Sequence, residues 1–312
     1  MRILFWGTPD FAVPPLRALL GEGFDVVGVV TQPDKPRGRS RSQLDPSPVK
    51  QVALEEGIPV WQPERPRGDA FLAELRALAP DVSVVVAYGH ILPQAVIDVP
   101  RLGTLNIHAS LLPALRGADP IRAAIKQGLS ETGVSIMRMV LAMDAGPVLL
   151  RLPTPVAEDE TYGELSVRLA ELGALGIVQA LMLVDAGLAA AEEQDHTQAT
   201  FAGKTTRDDA RIDFTRSAEQ VGRIIRAHDP RPGAFATHRG ADVKCFGARV
   251  ASVESAAALP GTVVAIDGAG MIVQCGDGRV RITDVQPSGK GRLTPEAWMR
   301  GRGVAVGDRF DA

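Results

Sequence analysis

The chain has 312 residues, more than one typical domain, so two domains are expected. Apolar residues make up 45% and charged residues 23%, which is ordinary for a globular protein, and the net charge of −3 argues against a bulk nucleic-acid binder. The two cysteines, Cys245 and Cys275, form no CxxC motif, which argues against zinc and predicts two buried free thiols.

The first half of the chain alternates apolar runs with helical patterns. The runs fall at residues 3–7, 26–30, 58–61, 82–87 and 105–108, with helical patterns between them. Because these runs are continuous rather than alternating, they suit strands that are buried on both faces of a parallel sheet. The order predicts a doubly wound, Rossmann-like α/β domain with a mostly parallel sheet.

Residues 135–139 and 148–156 predict two further strands, and residues 161–187 predict one long apolar helix that closes a domain spanning 1–188. Residues 189–206 are rich in Ala, Glu, Gln and Thr without periodicity, which predicts a surface linker. A helical pattern at 217–228 then precedes five short β-like runs, at 234–238, 243–250, 261–266, 271–275 and 280–285. Short strands separated by turn residues predict a small OB-like β-barrel over 207–312.

The sequence predicts neither a signal peptide nor a membrane span. No charged and apolar leader precedes the first strand pattern, and no run of about 18 apolar residues is present. We therefore expect a cytoplasmic protein, and a monomer.

Positive charge is concentrated in two places. Residues 207–312 carry 16 Lys and Arg against 13 Asp and Glu, a net charge of +3, and residues 1–206 carry a net charge of −6. The loop at 34–45 contains Lys35, Arg37, Arg39 and Arg41. Such a loop is either a mobile surface segment or a basic arm that contacts phosphates and becomes ordered on binding.

The most informative segment is Leu-Asn-Ile-His-Ala-Ser-Leu-Leu-Pro at residues 105–113. Asn106 and His108 alternate with apolar residues at the end of a predicted strand, so their side chains share one face at the edge where open α/β folds bind ligands. An amide and an imidazole there can stabilise an oxyanion and move a proton in acyl transfer. Asp144, before a Gly turn, is a candidate to hold the imidazole.

Judged on these residues alone, a structural histidine and a turn aspartate are the commoner interpretations. However, residues 106–113 together with Asp144 resemble the signature of the folate-dependent formyltransferase superfamily. This resemblance implies that Asn106, His108 and Asp144 are catalytic, that 10-formyltetrahydrofolate is the co-substrate and that no metal is needed. It also implies folate contacts from Tyr88, Gly89, His90, Ile91, Leu92, Ser110, Leu111, Leu112, Pro113 and Met143.

Several other stretches resemble the branch of the superfamily that formylates the amino group of initiator methionyl-tRNA for translation initiation. They are residues 5–12, 31–36, 46–50, 116–118, 204 with 210–214, and 286–290. This likeness implies tRNA contacts from Lys35, Arg37, Arg39, Arg41 and Lys204. It also casts Gly7-Thr8-Pro9 as part of the pocket for the terminal aminoacyl-adenosine. That turn is neither GxGxxG nor a Walker A motif, so neither NAD nor ATP is expected.

The sequence departs from the pattern of this branch at Asp119, where a small neutral residue is expected, and in a basic loop that is one residue longer. Two alternatives compete with the main hypothesis. A folate-dependent formyltransferase or hydrolase acting on a small molecule would share the three catalytic residues but would need no second domain. A non-catalytic folate-binding or RNA-binding module would not need the three residues.

Overall fold

The computed structural model describes residues 1–37, 43–252 and 258–311. The chain forms two compact units. Unit 1 comprises Met1–Gly117, Glu131–Thr154 and Ser166–Ala202, and unit 2 comprises Ala118–Ser130, Pro155–Leu165 and Gly203–Ala312. Two segments from the first half of the chain therefore belong to unit 2, a division that the sequence did not suggest. The predicted domain limits at 188 and 207 stay predictions.

The elements have the following bounds. The strands are β1 (Arg2–Gly7), β2 (Asp25–Val30), β3 (Lys35–Arg37), β4 (Gln43–Asp45), β5 (Val60–Trp61), β6 (Val82–Val86), β7 (Thr104–His108), β8 (Arg116–Gly117), β9 (Glu131–Arg138), β10 (Val148–Pro155), β11 (Phe201–Ala202), β12 (Ala234–His238), β13 (Ala241–Ser252), β14 (Val263–Asp267), β15 (Gly270–Gln274) and β16 (Arg279–Pro287). The helices are α1 (Val13–Gly21), α2 (Pro48–Glu55), α3 (Asp69–Ala77), α4 (Gln94–Ile97), α5 (Pro120–Gln127), α6 (Tyr162–Asp185), α7 (Ala218–Ala227) and α8 (Pro295–Arg300).

Unit 1 is built on a seven-stranded sheet with the order β10-β9-β7-β6-β1-β2-β5. Strands β5, β2, β1, β6 and β7 pair in parallel, and β9 runs antiparallel to β7. Helices α1 to α4 connect the parallel strands, and the four central residues of β1, from Ile3 to Trp6, are fully buried. The predicted doubly wound, mostly parallel α/β sheet is therefore confirmed.

The long helix α6 packs against this sheet. Within the described ranges, α6 is the helix that is long and apolar enough to cross a membrane by length and composition, and 44% of its most apolar 18-residue window is buried. Its buried residues Leu169, Ile177 and Leu181 recur at helical spacing. A Cβ at Gly173 would lie 2.9 Å from Ile107 of β7, so the helix backbone approaches the sheet closely. A helix that is buried on one side in this way is typical of a helix packed on the face of a sheet.

Unit 2 contains a five-stranded antiparallel sheet with the order β12-β13-β16-β15-β14. Its strands coincide within a few residues with the five predicted β-like runs. Helix α7 begins with a capping box between Ser217 and Gln220 and contributes Val221 and Ile225 to the core. The predicted buried free thiols are confirmed, and burial raises the pKa values of Cys245 and Cys275 to about 12.

Two segments differ from the sequence-based expectation. The basic loop is flanked by a short hairpin in which Lys35 of β3 pairs with Asp45 of β4, and residues 38–42, with Arg39 and Arg41, lie outside the described residues. The predicted surface linker is partly buried, because Gln194 is 5% and Ala202 is 4% exposed. It does not lie freely on the surface, since β11 pairs in parallel with β8.

We expect Gly133→Ala to destabilise the protein. Gly133 lies in β9, and a Cβ there would be 2.2 Å from the backbone oxygen of Leu152 and 2.6 Å from Leu111 Cδ2. Overpacking of this kind costs about 1–3 kcal/mol, which calorimetry would detect as a lower Tm. Gly21→Ala is the matched control, because nothing lies within 4 Å of a Cβ at the end of α1. Equal Tm values for the two variants would contradict the close packing of β9.

Candidate active site

Asn106 and His108 lie on the last residues of β7, at the carboxyl edge of the parallel strands. In the register with β9, Asn106 is opposite Met137 and His108 is opposite Ser135. Asn106 is half-buried and His108 is 5% exposed. Because side chains on a strand alternate between faces, the amide and the imidazole project from the same face of the sheet.

The imidazole of His108 lies between two hydrogen-bond acceptors. Its Nε2 is 2.9 Å from the backbone oxygen of Leu115, and since a carbonyl can only accept, Nε2 donates. Its Nδ1 is 3.6 Å from Oδ2 of Asp144, which is an ion-pair distance rather than a direct hydrogen bond. The ring is therefore held by a backbone carbonyl on one side and faces the carboxylate on the other.

Asp144 is fixed by a backbone amide. The Gly117 N–H donates to Asp144 Oδ2 at 2.8 Å. Asp144 also adopts a positive φ of 49°, a conformation that non-glycine residues use sparingly. The loop after β9 thereby turns back, and the carboxylate meets both the Gly117 amide and the His108 ring.

The side-chain amide of Asn106 makes no hydrogen bond to any part of the chain that the structure describes. It is half-buried, so it can reach a ligand at the sheet edge. An amide N–H beside an imidazole and a carboxylate is a set of groups suited to acyl transfer, with one donor for an oxyanion and one group for proton movement.

The loop at residues 110–113 is held by the hydroxyl of Ser135 on β9. This fully buried hydroxyl donates to the backbone oxygen of Ser110 at 2.7 Å and accepts from the Leu112 N–H at 3.0 Å. Ser110 and Leu112 are buried, whereas Leu111 and Pro113 are half-buried. A backbone pinned at two points presents fixed polar groups to a ligand without a large loss of entropy on binding.

The side chains of the Tyr88–Leu92 segment divide between the core and the solvent. Tyr88 and Leu92 are each 2% exposed and belong to a core cluster with Trp6. Burial raises the pKa of Tyr88 to about 12. These two side chains therefore face the protein interior, whereas Gly89, His90 and Ile91 are exposed, with Ile91 at 83%.

The backbone of this segment is held by hydrogen bonds from two polar side chains. The carbonyl of Tyr88 accepts hydrogen bonds from Thr8 Oγ1 at 3.0 Å and from Gln32 Nε2 at 3.1 Å. Gly89 has φ +92°, and a Cβ there would be 2.3 Å from Gln32 Nε2. The positive φ favours glycine, and a side chain at this position would also displace the Gln32 amide.

The loop after β9 also exposes apolar side chains. Leu141 is 64% and Met143 is 59% exposed, while the neighbouring Met139 packs against the core cluster that contains Tyr88 and Leu92. The segment 88–92 and the loop 140–144 thus rest on one common core. Their exposed apolar residues are the kind of surface that a flat aromatic ligand covers.

Asp34, the residue before the β3–β4 hairpin, is held by two side chains. Lys50 Nζ donates to its carboxylate at 2.6 Å and Gln62 Nε2 at 2.7 Å, and the Lys50 ammonium holds the pKa of Asp34 below its usual range. Lys35, the next residue, is exposed. Of the other basic residues predicted here, Arg39 and Arg41 lie outside the described ranges, and Arg37 is described by its backbone only.

Lys204 is exposed and lines a cavity of about 690 Å³ within unit 2. Arg122, Arg207 and Phe235 are also part of its wall, as is Asp119. Asp119, the unexpected carboxylate, accepts two hydrogen bonds from Arg122, at 2.9 and 3.2 Å, and one from the Thr205 hydroxyl. The negative charge of Asp119 is therefore balanced inside the cavity wall.

Sequence reasoning missed three residues that hold this site. Arg116 and Gly117 were noted only as part of a resemblance, and Gln194 lay in an aperiodic stretch that carried no signal. In the structure Arg116 donates to Gln194 Oε1, and Gln194 donates to the carbonyls of Asp144 and Gly146. In the described ranges, no group of three or more His, Cys, Asp or Glu could hold a metal ion.

Comparisons with known proteins agree along the whole chain. Residues 1–181 match the family model described as formyl transferase, and residues 204–303 match the model described as formyl transferase, C-terminal domain. A methionyl-tRNA formyltransferase of Ectopseudomonas mendocina is 48% identical over 291 residues, which is 93% of this chain and 91% of that protein. One of Aromatoleum aromaticum is 46% identical over 312 residues, covering 100% of this chain and 98% of that protein.

Solved structures share the fold at lower identity. HypX from Aquifex aeolicus in complex with tetrahydrofolic acid gives a TM-score of 0.69 at 21% identity, over 98% of this chain and 48% of that one. The sugar 3N-formyl transferase WlaRD, solved in the presence of dTDP and 5-N-formyl-THF, gives 0.68 at 17% identity, over 93% of this chain and 99% of that one. At this level of identity the likeness concerns the fold alone.

The predicted family is thus confirmed by two matched domains and by relatives that share nearly half of their residues with this chain over most of its length. The chain belongs to the methionyl-tRNA formyltransferase family.

Proposed function

We propose that this protein transfers the formyl group of 10-formyltetrahydrofolate to the free amino group of initiator methionyl-tRNA, giving N-formylmethionyl-tRNA for translation initiation. The observation that carries this proposal is membership of the family across both domains, combined with the Asn106, His108 and Asp144 constellation. We further propose that it works as a cytoplasmic monomer, in the compartment where initiator tRNA is used.

The three residues divide the chemistry between them. When an amine adds to a formyl carbonyl, negative charge collects on the oxygen, and the unpaired amide of Asn106 donates to it. We propose that Nε2 of His108 exchanges the Leu115 carbonyl for the substrate, where it supplies a second donor and relays the proton that the amine loses. Asp144, fixed by the Gly117 amide, keeps the imidazole in its orientation. The bond to the methionyl nitrogen forms, the bond to folate N10 breaks, and the proton passes to the departing nitrogen.

The folate supplies the formyl group, and the residues of the sheet edge fit its ring system. Ile91, Leu141 and Met143 are exposed apolar side chains on two segments that rest on the same core. Gly89 is exposed, and Ser110 to Pro113 form a loop that is held at two points. We infer that the pterin lies between these segments and is recognised mainly through backbone groups, since the side chains of Tyr88 and Leu92 are buried.

The tRNA is bound by basic residues of both units. Lys35, Arg37, Arg39 and Arg41 belong to the basic segment 34–45, in which Arg39 and Arg41 lie outside the described residues and Asp34 is bound by Lys50. Lys204 is exposed at the rim of a cavity that also contains Arg122 and Arg207. Phosphate contacts of this kind orient an RNA without reading its sequence, and they weaken with salt.

We expect Asn106→Ala and Asp144→Asn to lower kcat by about 10²–10³-fold, since each removes a group that acts on the developing charge. The measurement is transfer of labelled formyl from 10-formyltetrahydrofolate to methionyl-initiator-tRNA. Asn at position 144 can still accept from the Gly117 amide, so the Tm of this variant should stay near that of the wild type. Asp98→Asn, an exposed carboxylate after α4, is the matched control and should leave kcat unchanged.

The same assay distinguishes the competing acceptors. Glycinamide ribonucleotide is offered in parallel with methionyl-tRNA. Formylation of the small molecule alone would overturn the tRNA assignment, and release of formate without transfer would make the protein a hydrolase. Wild-type rates from folded Asn106→Ala and Asp144→Asn would remove both residues from the chemistry.

We expect Lys204→Ala to raise KM for methionyl-tRNA and to leave kcat nearly unchanged, because a phosphate contact contributes to binding rather than to bond making. The slope of log affinity against log salt should fall by about 1. Arg76→Ala, which removes an exposed cation from α3, controls for net charge. Identical KM values and salt slopes for both variants would exclude Lys204 from the tRNA interface.

A further inference from the structure

The segment at residues 192–202, named the strap here, is hydrogen-bonded to the loops that carry the candidate catalytic groups. At one end, the backbone of Glu192 exchanges two hydrogen bonds of 2.8 Å with Val148. At the other end, Thr200 accepts from the Leu115 N–H through its hydroxyl and from the Arg116 N–H through its carbonyl, both at 2.8 Å. The strap is therefore fixed on each side of Gln194.

Gln194 is the residue of the strap that reaches the Asp144 loop. It is 5% exposed, and its Nε2 donates to the carbonyl of Asp144 at 2.9 Å and to that of Gly146 at 2.6 Å. One amide group thus binds the backbone of the catalytic aspartate and that of the second residue after it. This pair of bonds fixes the turn that gives Asp144 its positive φ.

The acceptor side of the same amide is also occupied. Arg116 is 5% exposed and donates to Gln194 Oε1 through Nε at 3.2 Å and Nη2 at 2.7 Å. Its Nη2 also lies 2.9 Å from His196 Nδ1, which must accept, because a guanidinium only donates. Arg116 precedes Gly117, whose amide holds Asp144, so both ends of the aspartate are tied to one short stretch of chain.

The loop has little freedom to compensate for a lost contact. A Cβ on Gly146 would lie 1.9 Å from the backbone oxygen of Arg138, so the loop lies directly against the end of β9. Without Gln194, the carbonyls of Asp144 and Gly146 would lose their side-chain donor. Buried polar groups left unpaired are costly, and the loop would move to find water.

We propose that Gln194 is a positioning residue for catalysis: through Arg116 on one side and the carbonyls of Asp144 and Gly146 on the other, it sets the place of the Asp144 carboxylate relative to His108. This inference rests on the proposed function, because it assigns to Asp144 a part in the reaction. It adds a residue from the strap, outside the three catalytic residues, to the machinery.

The test uses Gln194→Glu in the full-length protein. Glutamate keeps an acceptor for Arg116, removes the two donors to Asp144 and Gly146, and places a carboxylate oxygen against their two carbonyls. We expect kcat to fall on the order of 10²-fold with KM for both substrates unchanged, since small misplacements of a catalytic group have effects of this size. Gln198→Glu is the matched control, because Gln198 is exposed and bonds only to Asp195 within the strap.

Two further readouts separate positioning from a general structural role. In the Asp144→Asn background, Gln194→Glu should cause no additional loss of kcat, because its effect passes through that carboxylate. Amide hydrogen exchange of the peptide spanning residues 140–147 should rise in Gln194→Glu and not in Gln198→Glu. If Gln194→Glu does not fold, Gln194→Asn, which keeps the amide but shortens the side chain, takes its place.

Unchanged kcat together with unchanged exchange in the folded variant would overturn the inference. So would an undiminished further loss of activity in the Asp144→Asn background, since Gln194 would then act by another route. If the wild type does not formylate methionyl-tRNA, the proposed function fails, and the exchange experiment still decides about Gln194. A rise in exchange would support its hold on the loop, and no rise would overturn it.

Discussion

The position of the Asp144 carboxylate depends first on a backbone group, the N–H of Gly117, which donates to it at 2.8 Å. Gly117 has φ +118°, and a Cβ there would lie 2.4 Å from the carbonyl of Ala202, so only glycine permits both the conformation and the pairing of β8 with β11. The aspartate is therefore positioned by the register of two short strands, one of which lies at the end of the strap. A segment that the sequence predicted to be a surface linker, and that belongs to unit 1, thereby supports the candidate site.

The chemical nature of the contacts around Asp144 has a consequence for reactivity. A direct ion pair with the buried Arg116 would hold the carboxylate firmly, but it would occupy the lone pairs that the His108 imidazole needs. Instead the guanidinium binds the neutral amide of Gln194, and that amide binds backbone carbonyls. Through these bonds, Arg116 and Gln194 hold the loop that carries Asp144. The carboxylate itself contacts one backbone donor and the imidazole. A neutral amide between the guanidinium and the Asp144 loop thus fixes the loop and leaves the carboxylate of this candidate catalytic residue available.

Periodicity predicted the sheet of unit 1 and the five short strands of unit 2, whereas the three candidate residues followed from the resemblance of residues 106–113 and Asp144 to a family signature. It could not predict the strap. Gln194 stands in an aperiodic stretch, and its burial arises from contacts with residues about 50 and 80 positions away, which no local pattern encodes. The hairpin beside the basic loop was missed for a related reason, since β3 and β4 have three residues each and little apolar content. The segment Ala118–Ser130 likewise belongs to unit 2 because of its packing, which no local sequence pattern indicates.

Asp119 illustrates how a local charge can be tolerated beside a surface that is proposed to bind a polyanion. Its carboxylate pairs with Arg122 and accepts a hydrogen bond from the Thr205 hydroxyl. Arg122 in turn donates to the carbonyl of Arg231, and its guanidinium carbon lies 3.7 Å from the centre of the Tyr162 ring. The charged groups of Asp119 and Arg122 are therefore both engaged in contacts within the wall of the cavity. An arriving phosphate is attracted by exposed cations, and a carboxylate whose lone pairs are already bound opposes it far less than a free one. Asp119 therefore costs the proposed tRNA interface little, because the partner that compensates it is supplied by the helix on which Arg122 lies.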